Sequence, residues 1–308
     1  MIGVTSLKRL FLALGAVATA AALVLSATGP SAASTRPAVT IPPDMTTSYL
    51  MYDRLSNQVV LSQDPDKQYR SASVVKLLIA LDYLTIKGSL DNVPAGDLAQ
   101  LQSMLRSSDD DAARYFYRGD GYTDVIDRMV AKLGLQHTAP PADRNYWGYT
   151  AISASDILRT YQYLLHDTQD AFGKFILDNI GQSTQCAKDG SNQYFGIPSA
   201  VPAPFRIKQG WSAFGDVIPT PECPGTTART KLSQTNSGEE APAGTQLPAD
   251  GVDLTSHLLH TTGLVDHDRR ILIVLSLYPT TVDWAAASAK ITSVTKQVYT
   301  EGRAHCVV

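Results

Sequence analysis

Apolar and polar residues alternate in short runs near both ends of the chain and recur every three to four residues through its middle. Ser48 to Asp53 and Gln58 to Gln63, rich in Tyr, Val and Leu and parted by Leu55-Ser56-Asn57, predict a β-hairpin. From Ser73 to about Ile180 the period is helical. It predicts helices over Ser73 to Lys87, Asp97 to Arg106, Asp110 to Tyr117, Thr123 to Leu133, Ser155 to His166 and Ala171 to Ile180. Strand patterns return at Pro204 to Phe214, Ser256 to Leu264 and Arg270 to Tyr278. The unbroken Ile-Leu-Ile-Val-Leu-Ser-Leu run of the last predicts a strand covered on both faces. A terminal helix is expected over Val282 to Tyr299.

Strands at both ends with helices between them imply an α/β sheet domain assembled from residues 47–72 and 203–303, with a helical domain of residues 73–202 inserted. The groove where the two meet is the natural place for a site. Residues 34–46, with Pro37, Pro42 and Pro43, read as an extended leader. Residues 215–251, dense in Pro, Gly, Thr, Ser and Glu, read as a flexible loop insertion.

The N-terminus does not fit the globular pattern. Lys8-Arg9, the apolar stretch Leu10 to Leu25 and small residues through Ser31-Ala32-Ala33 have the layout of a signal peptide cleaved near Ala33. The apolar stretch falls short of the ~20 residues a membrane span needs, so no stable membrane anchor is expected. No cysteine follows it for lipid attachment. Cleavage would leave 24 Lys and Arg against 29 Asp and Glu, a formal charge of −5, which does not suggest a nucleic-acid partner. Export brings oxidising conditions, under which Cys186, Cys223 and Cys306 allow three pairings; Cys186 with Cys223 is favoured because Cys306 lies in a terminal tail.

The candidate chemistry begins at Ser73-Val74-Val75-Lys76, where a hydroxyl and an amine three residues apart share one face at the start of a buried helix. Serine attacks a carbonyl only when a base takes its proton, and a partly desolvated Lys76 facing Lys208 would be such a base. Ser-x-x-Lys also arises by chance, and Ser293-Val294-Thr295-Lys296 is a second copy with no later strand to complete it. Ser108-Asp109-Asp110 at a helix start is the usual material of an N-cap; functionally, Ser108 would relay a proton and Asp110 would orient Lys76 or a substrate amide. Lys208-Gln209-Gly210-Trp211 on a late strand would supply a cation for a substrate carboxylate. Gly210 would permit close backbone approach, and the Trp211 N–H, with that of Ser73, would form an oxyanion hole. His257 and His260, three apart on a strand, point to opposite faces and do not form a metal pair. No metal or other cofactor is expected. Trp147 and Tyr149 read as core or loop packing, with a place at the edge of the site as the alternative.

In this order the three elements resemble the Ser-x-x-Lys, Ser-Asp-Asn and Lys-Thr-Gly motifs of the penicillin-recognising serine enzymes, the class A β-lactamases and D-alanyl-D-alanine peptidases. Ser108-Asp109-Asp110-Asp111-Ala112-Ala113 is similar to that family's Ser-Asp-Asn-x-Ala-Ala. The resemblance covers nearly all of the chain after the leader. It implies a class A β-lactamase-like fold, a mostly antiparallel five-stranded sheet with a helical middle domain. The implied catalytic residues are Ser73, Lys76, Ser108 and Lys208, with substrate contacts from Asp110, Gln209, Gly210 and Trp211. The implied protein is a secreted or envelope-located monomer taking a β-lactam or a D-alanyl-D-alanine peptide. Asp110 stands where the family has asparagine, Gln209 where it has threonine, and the segment between the first two motifs is short. The stretch of about Gly134 to Ser153, which matches the family's omega loop, has no glutamate, and its one carboxylate, Asp143, is the possible deacylation base. Three functions are therefore open: a β-lactamase-like acyl-serine hydrolase with slow deacylation, a D-alanyl-D-alanine carboxypeptidase, and a catalytically degenerate binding or sensing module.

Overall fold

The computed structural model describes residues 39–166, 171–215, 223 and 251–304. The signal-peptide expectation, most of the 215–251 loop and Cys306 lie outside the described residues. Five antiparallel strands form the main sheet in the order β2-β1-β7-β6-β5: β1 (Thr46–Asp53), β2 (Gln58–Gln63), β5 (Arg206–Ser212), β6 (His257–Val265) and β7 (Arg270–Tyr278). Both ends of the chain build it, as the alternating patterns imply. Its central strand β7 divides its side chains by the two-residue period. Ile271, Ile273 and Leu275 enter the core shared with the helical middle, and Leu272, Val274 and Tyr278 enter the core under the terminal helix. That division explains the continuous apolar run, since neither face meets water.

The terminal helix α8 (Trp284–Ala304) lays Ala287, Ile291, Val294 and Val298 on the sheet, and it extends past the predicted end. The leader is anchored to it. Met45 is buried, the Thr40 N–H donates to Gln297 Oε1 at 2.8 Å, and Lys290 pairs with Asp44. The Ser293/Lys296 copy of the first motif is exposed on this helix, away from any strand motif.

On the other face sit α1 (Lys76–Lys87), α2 (Ala95–Ser107), α3 (Asp110–Gly119), α4 (Thr123–Leu133), α5 (Ala154–His166) and α6 (Ala171–Ile180). Every residue of α1 from Lys76 to Leu84 is buried, because this helix runs through the middle of the bundle. Five short pieces escaped the sequence pattern. A ribbon pairs β3 (Tyr69–Arg70) with β4 (Ala151–Ile152), three 3₁₀ turns span Ala72–Val75, Leu90–Asn92 and Trp147–Tyr149, and α7 is the single turn Ile197–Ala200. Two to four residues are too few for a period to show. The 3₁₀ turn is a correction of detail, since Ser73 lies in it and the α-helix begins only at Lys76.

Candidate active site

The turn that carries Ser73 is held from three sides. The β3–β4 ribbon supplies the Thr150 carbonyl to the Ser71 N–H at 2.8 Å, and Ser71 Oγ donates to the Gly148 carbonyl at 3.3 Å. From β5, Gly210 approaches so closely that a Cβ there would lie 3.0 Å from the Ser71 carbonyl oxygen and 3.2 Å from Val74 Cγ2. From β6, the buried His260 reaches the carbonyl of Arg70. Its Nε2 lies 2.9 Å from that carbonyl oxygen, and its Nδ1 lies 3.1 Å from the Ser276 backbone nitrogen and 3.0 Å from the Leu259 carbonyl oxygen. Ala72, just before Ser73, is forced to a φ of +41°, and Ser108 to +54°. A left-handed alanine before one candidate serine and a left-handed backbone at the other are strain of about 1–3 kcal/mol each.

Burial pushes the imidazole of His260 down from 6.5 to about 3. The unfolded chain therefore binds a proton that the folded chain refuses between those values. The contribution of His260 is fully present above pH 6.5 and is lost as pH falls towards 3, at about 1.4 kcal/mol per pH unit. Urea unfolding of the wild type and of His260→Asn at pH 4.5, 5.5 and 6.5 should give a stability difference that shrinks with acid. A constant difference would show that this ring does not titrate as described.

The four candidate catalytic side chains converge. Lys76 Nζ lies 2.7 Å from Ser73 Oγ, 2.7 Å from the Ser108 carbonyl oxygen, 3.2 Å from Ser108 Oγ and 2.5 Å from Asp110 Oδ1. Lys208 Nζ donates to Ser108 Oγ at 2.9 Å, so that hydroxyl bridges the two lysines. The face of Trp147 lies 4.8 Å from Lys76 Nζ, a cation–π contact that makes this core aromatic a wall of the site. Thr262 Oγ1 donates to the Lys208 carbonyl at 2.7 Å and also meets Tyr161 Oη at 2.9 Å, which fixes the strand from below. Ser73 and Lys76 are 0% exposed, Lys208 1% and Ser108 3%, so the groove expected from the sequence holds a buried cluster.

The acidic triplet divides its roles by position. Asp109 is the N-cap of α3, its carboxylate accepting the N–H groups of Asp111 and Ala112 and the hydroxyl of Ser103. Asp110, one residue on, turns inward and meets Lys76.

Two sequence assignments are corrected. The amide nitrogen of Gln209 donates to the carbonyls of Gln193 (3.1 Å) and Phe195 (2.7 Å), so it ties a neighbouring loop to β5 rather than facing a ligand. It occupies the strand face opposite Lys208, as the two-residue period requires. Asp143 is exposed, and its carboxylate accepts from both nitrogens of Asn145 at 2.9 Å, so it is held by its own loop. Trp211 is buried with its indole among Phe195 and Trp284.

Sequence reasoning missed the segment 184–195, which bridges the two walls of the site. The Thr184 and Lys188 N–H groups donate to the carbonyls of Arg106 and Ser107, beside Ser108. Gln209 and Trp211 hold its other side, the indole N–H reaching Asp189 Oδ2 at 3.1 Å. The favoured pairing of Cys186 with Cys223 is present and tethers this segment. Among the described residues no group of three His, Cys, Asp or Glu side chains is placed to hold a metal ion, and no helix is long and apolar enough to cross a membrane.

No protein-family model matches the chain. The putative lipoprotein LppW of Mycobacterium tuberculosis is 33% identical over 269 residues, a match spanning 84% of this chain and 71% of LppW. Its Mycobacterium bovis counterpart matches to the same extent. Among solved structures, PBP-A superposes with a TM-score of 0.58 over 86% of this chain and 93% of its own, at 13% identity. A β-lactamase from Xanthomonas campestris pv. campestris superposes with a TM-score of 0.54 over 82% and 90%, at 14% identity. A mutant of PBP-A has been solved as an acyl-enzyme complex with penicillin G.

Proposed function

Because the chain belongs to the family of the putative lipoprotein LppW and has the fold of the penicillin-recognising serine enzymes, we propose that it is an acyl-serine hydrolase of the cell envelope. In this reading Ser73 is acylated by β-lactams or by peptides ending in D-alanyl-D-alanine. The observation that carries it is the convergence of Ser73, Lys76, Ser108 and Lys208 into one hydrogen-bonded cluster. Ser73 Oγ attacks the carbonyl carbon as its proton passes to Lys76 Nζ. The N–H groups of Ser73 and Trp211 receive the oxyanion. Ser108 Oγ, between the two lysines, hands a proton to the departing nitrogen, and Lys208 attracts the substrate carboxylate.

Deacylation needs a base to activate water, and the omega-like stretch offers no carboxylate aimed at Ser73. A missing general base slows such a step by roughly 10²–10⁴-fold. Intact-mass spectrometry after mixing with penicillin G is expected to show one covalent adduct per chain that persists for many minutes, with at most slow turnover of a chromogenic cephalosporin. Rapid steady-state turnover would remove the slow-deacylation element, and release of D-alanine from a peptide would favour the carboxypeptidase alternative. The relatives' name refers to a lipoprotein, which supports a place in the cell envelope.

A second reading has its own support. The burial of Ser73 and the commitment of Lys76 to Asp110 suit a binding or sensing module that has kept the fold and given up the chemistry. Wild-type protein that no β-lactam labels would favour it.

A further inference from the structure

Asp189 is a titratable group of the site that the proposed chemistry does not use. Its place is set from both sides. Lys188 before it is bonded through its N–H to the Ser107 carbonyl at 2.7 Å, next to Ser108, and Asp189 itself accepts from the Trp211 indole at 3.1 Å on the β5 side. It therefore stands at the edge of the sheet beside β5, close enough to Asp110 to feel its charge. Its other donor is the Ser191 N–H at 2.8 Å. Both donors are neutral, and no lysine, arginine or histidine nitrogen lies within ion-pairing distance of it among the described residues. The nearby cations are committed elsewhere: Lys76 to Asp110, and Lys208 to Ser108. Lys188 is exposed and forms no ion pair with it.

Among the described residues an acid thus stands beside a second acid with no positive partner for it. Burial and the neighbouring charge of Asp110 both raise its carboxyl above the usual range. Partial burial leaves Asp189 within reach of a ligand while the nucleophile beneath stays covered. A half-buried carboxylate with neutral donors only is stabilised most by an incoming cation that can also donate hydrogen bonds.

Resting on the acyl-serine reading above, we infer that Asp189 is a recognition carboxylate that binds a protonated amine of the ligand, so that the preferred acyl donors carry an ammonium group. The segment 184–195, tied to both walls and held by the Cys186–Cys223 bridge, is then a specificity loop. A charge-assisted hydrogen bond of this kind is worth about tenfold or more in affinity.

The test uses Nα-acetyl-L-lysyl-D-alanyl-D-alanine, which keeps a free ammonium, against its Nα,Nε-diacetyl form, which has none. Calorimetric titration of the full-length Ser73→Ala protein measures binding without chemistry, so the result does not depend on whether the wild type is acylated. The free-amine peptide is expected to bind at least about tenfold more tightly, and the preference should fall to near one in the Ser73→Ala/Asp189→Asn protein. The amide oxygen left by that substitution still accepts from the Trp211 indole, and equal melting temperatures will show that the loop is intact. Equal binding of the two peptides before Asp189 is changed, a preference that survives Asp189→Asn, or no binding of either peptide would each overturn the inference. Absence of a β-lactam adduct on the wild type would instead count against the acyl-serine reading alone.

Discussion

Ser73→Ala is expected to abolish the β-lactam adduct, a loss of at least about 10³-fold in labelling rate, while the melting temperature stays close to that of the wild type. No other hydroxyl takes its place. Ser108 Oγ also lies beside Lys76, but Ser108 is itself in the left-handed conformation and its hydroxyl is engaged by a second lysine, so it is held as a bridge rather than presented as a nucleophile. Stability should change little because Lys76 keeps the Ser108 carbonyl and Asp110 as acceptors once the Ser73 hydroxyl is gone. Loss of one hydrogen bond with such neighbours is worth about 1 kcal/mol. Intact-mass spectrometry and a thermal melt of the same two samples decide the matter. An adduct on the alanine variant would move the nucleophile elsewhere, and a fall of many degrees would mark Ser73 as a structural residue.

The sheet and the long helices were legible because each is an extended periodic segment with one or two buried faces. The site was legible to the extent that it is local. Ser73 and Lys76 sit a turn apart, and motif order alone placed Ser108 and Lys208 with them. What the chain's linear order concealed is contact across the fold. Gln209 follows Lys208 directly and was read with it, yet the pleat turns it to the opposite face, where it serves the loop at Gln193 and Phe195. Asp189 reads as an ordinary Asp-Gly turn, and only the bonds of its neighbours to Ser107 and Trp211 bring it to the site. Trp147, flagged as packing, is both packing and a wall for Lys76. The burial of Ser73 has no local signal at all, because it depends on what the rest of the chain lays over the turn.

Asp110→Asn is expected to raise the acylation rate and to weaken the fold, and the two effects have one cause. In the wild type, Lys76 Nζ and Asp110 Oδ1 stand 2.5 Å apart as an ion pair, with both side chains nearly inaccessible. An ammonium cannot accept the proton of Ser73. The pair's mutual attraction must be given up before Nζ becomes a base, and that cost adds to the acylation barrier. For a charge-assisted hydrogen bond it is about 1.5–3 kcal/mol, which corresponds to a rate increase of roughly 10–100-fold when the charge is removed. The amide oxygen can still accept from Nζ, so the lysine keeps its aim at Ser73 Oγ. Stability moves the other way, because taking the counter-charge from a buried ammonium costs about 3–5 kcal/mol. A stopped-flow measurement of β-lactam labelling and a urea titration of Asp110→Asn beside the wild type separate the two outcomes. Slower labelling in the variant would mean that the Asp110 carboxylate takes the proton from Lys76 during the reaction. The aspartate in place of the asparagine of the Ser-Asp-Asn motif would then be part of the mechanism rather than a brake on it.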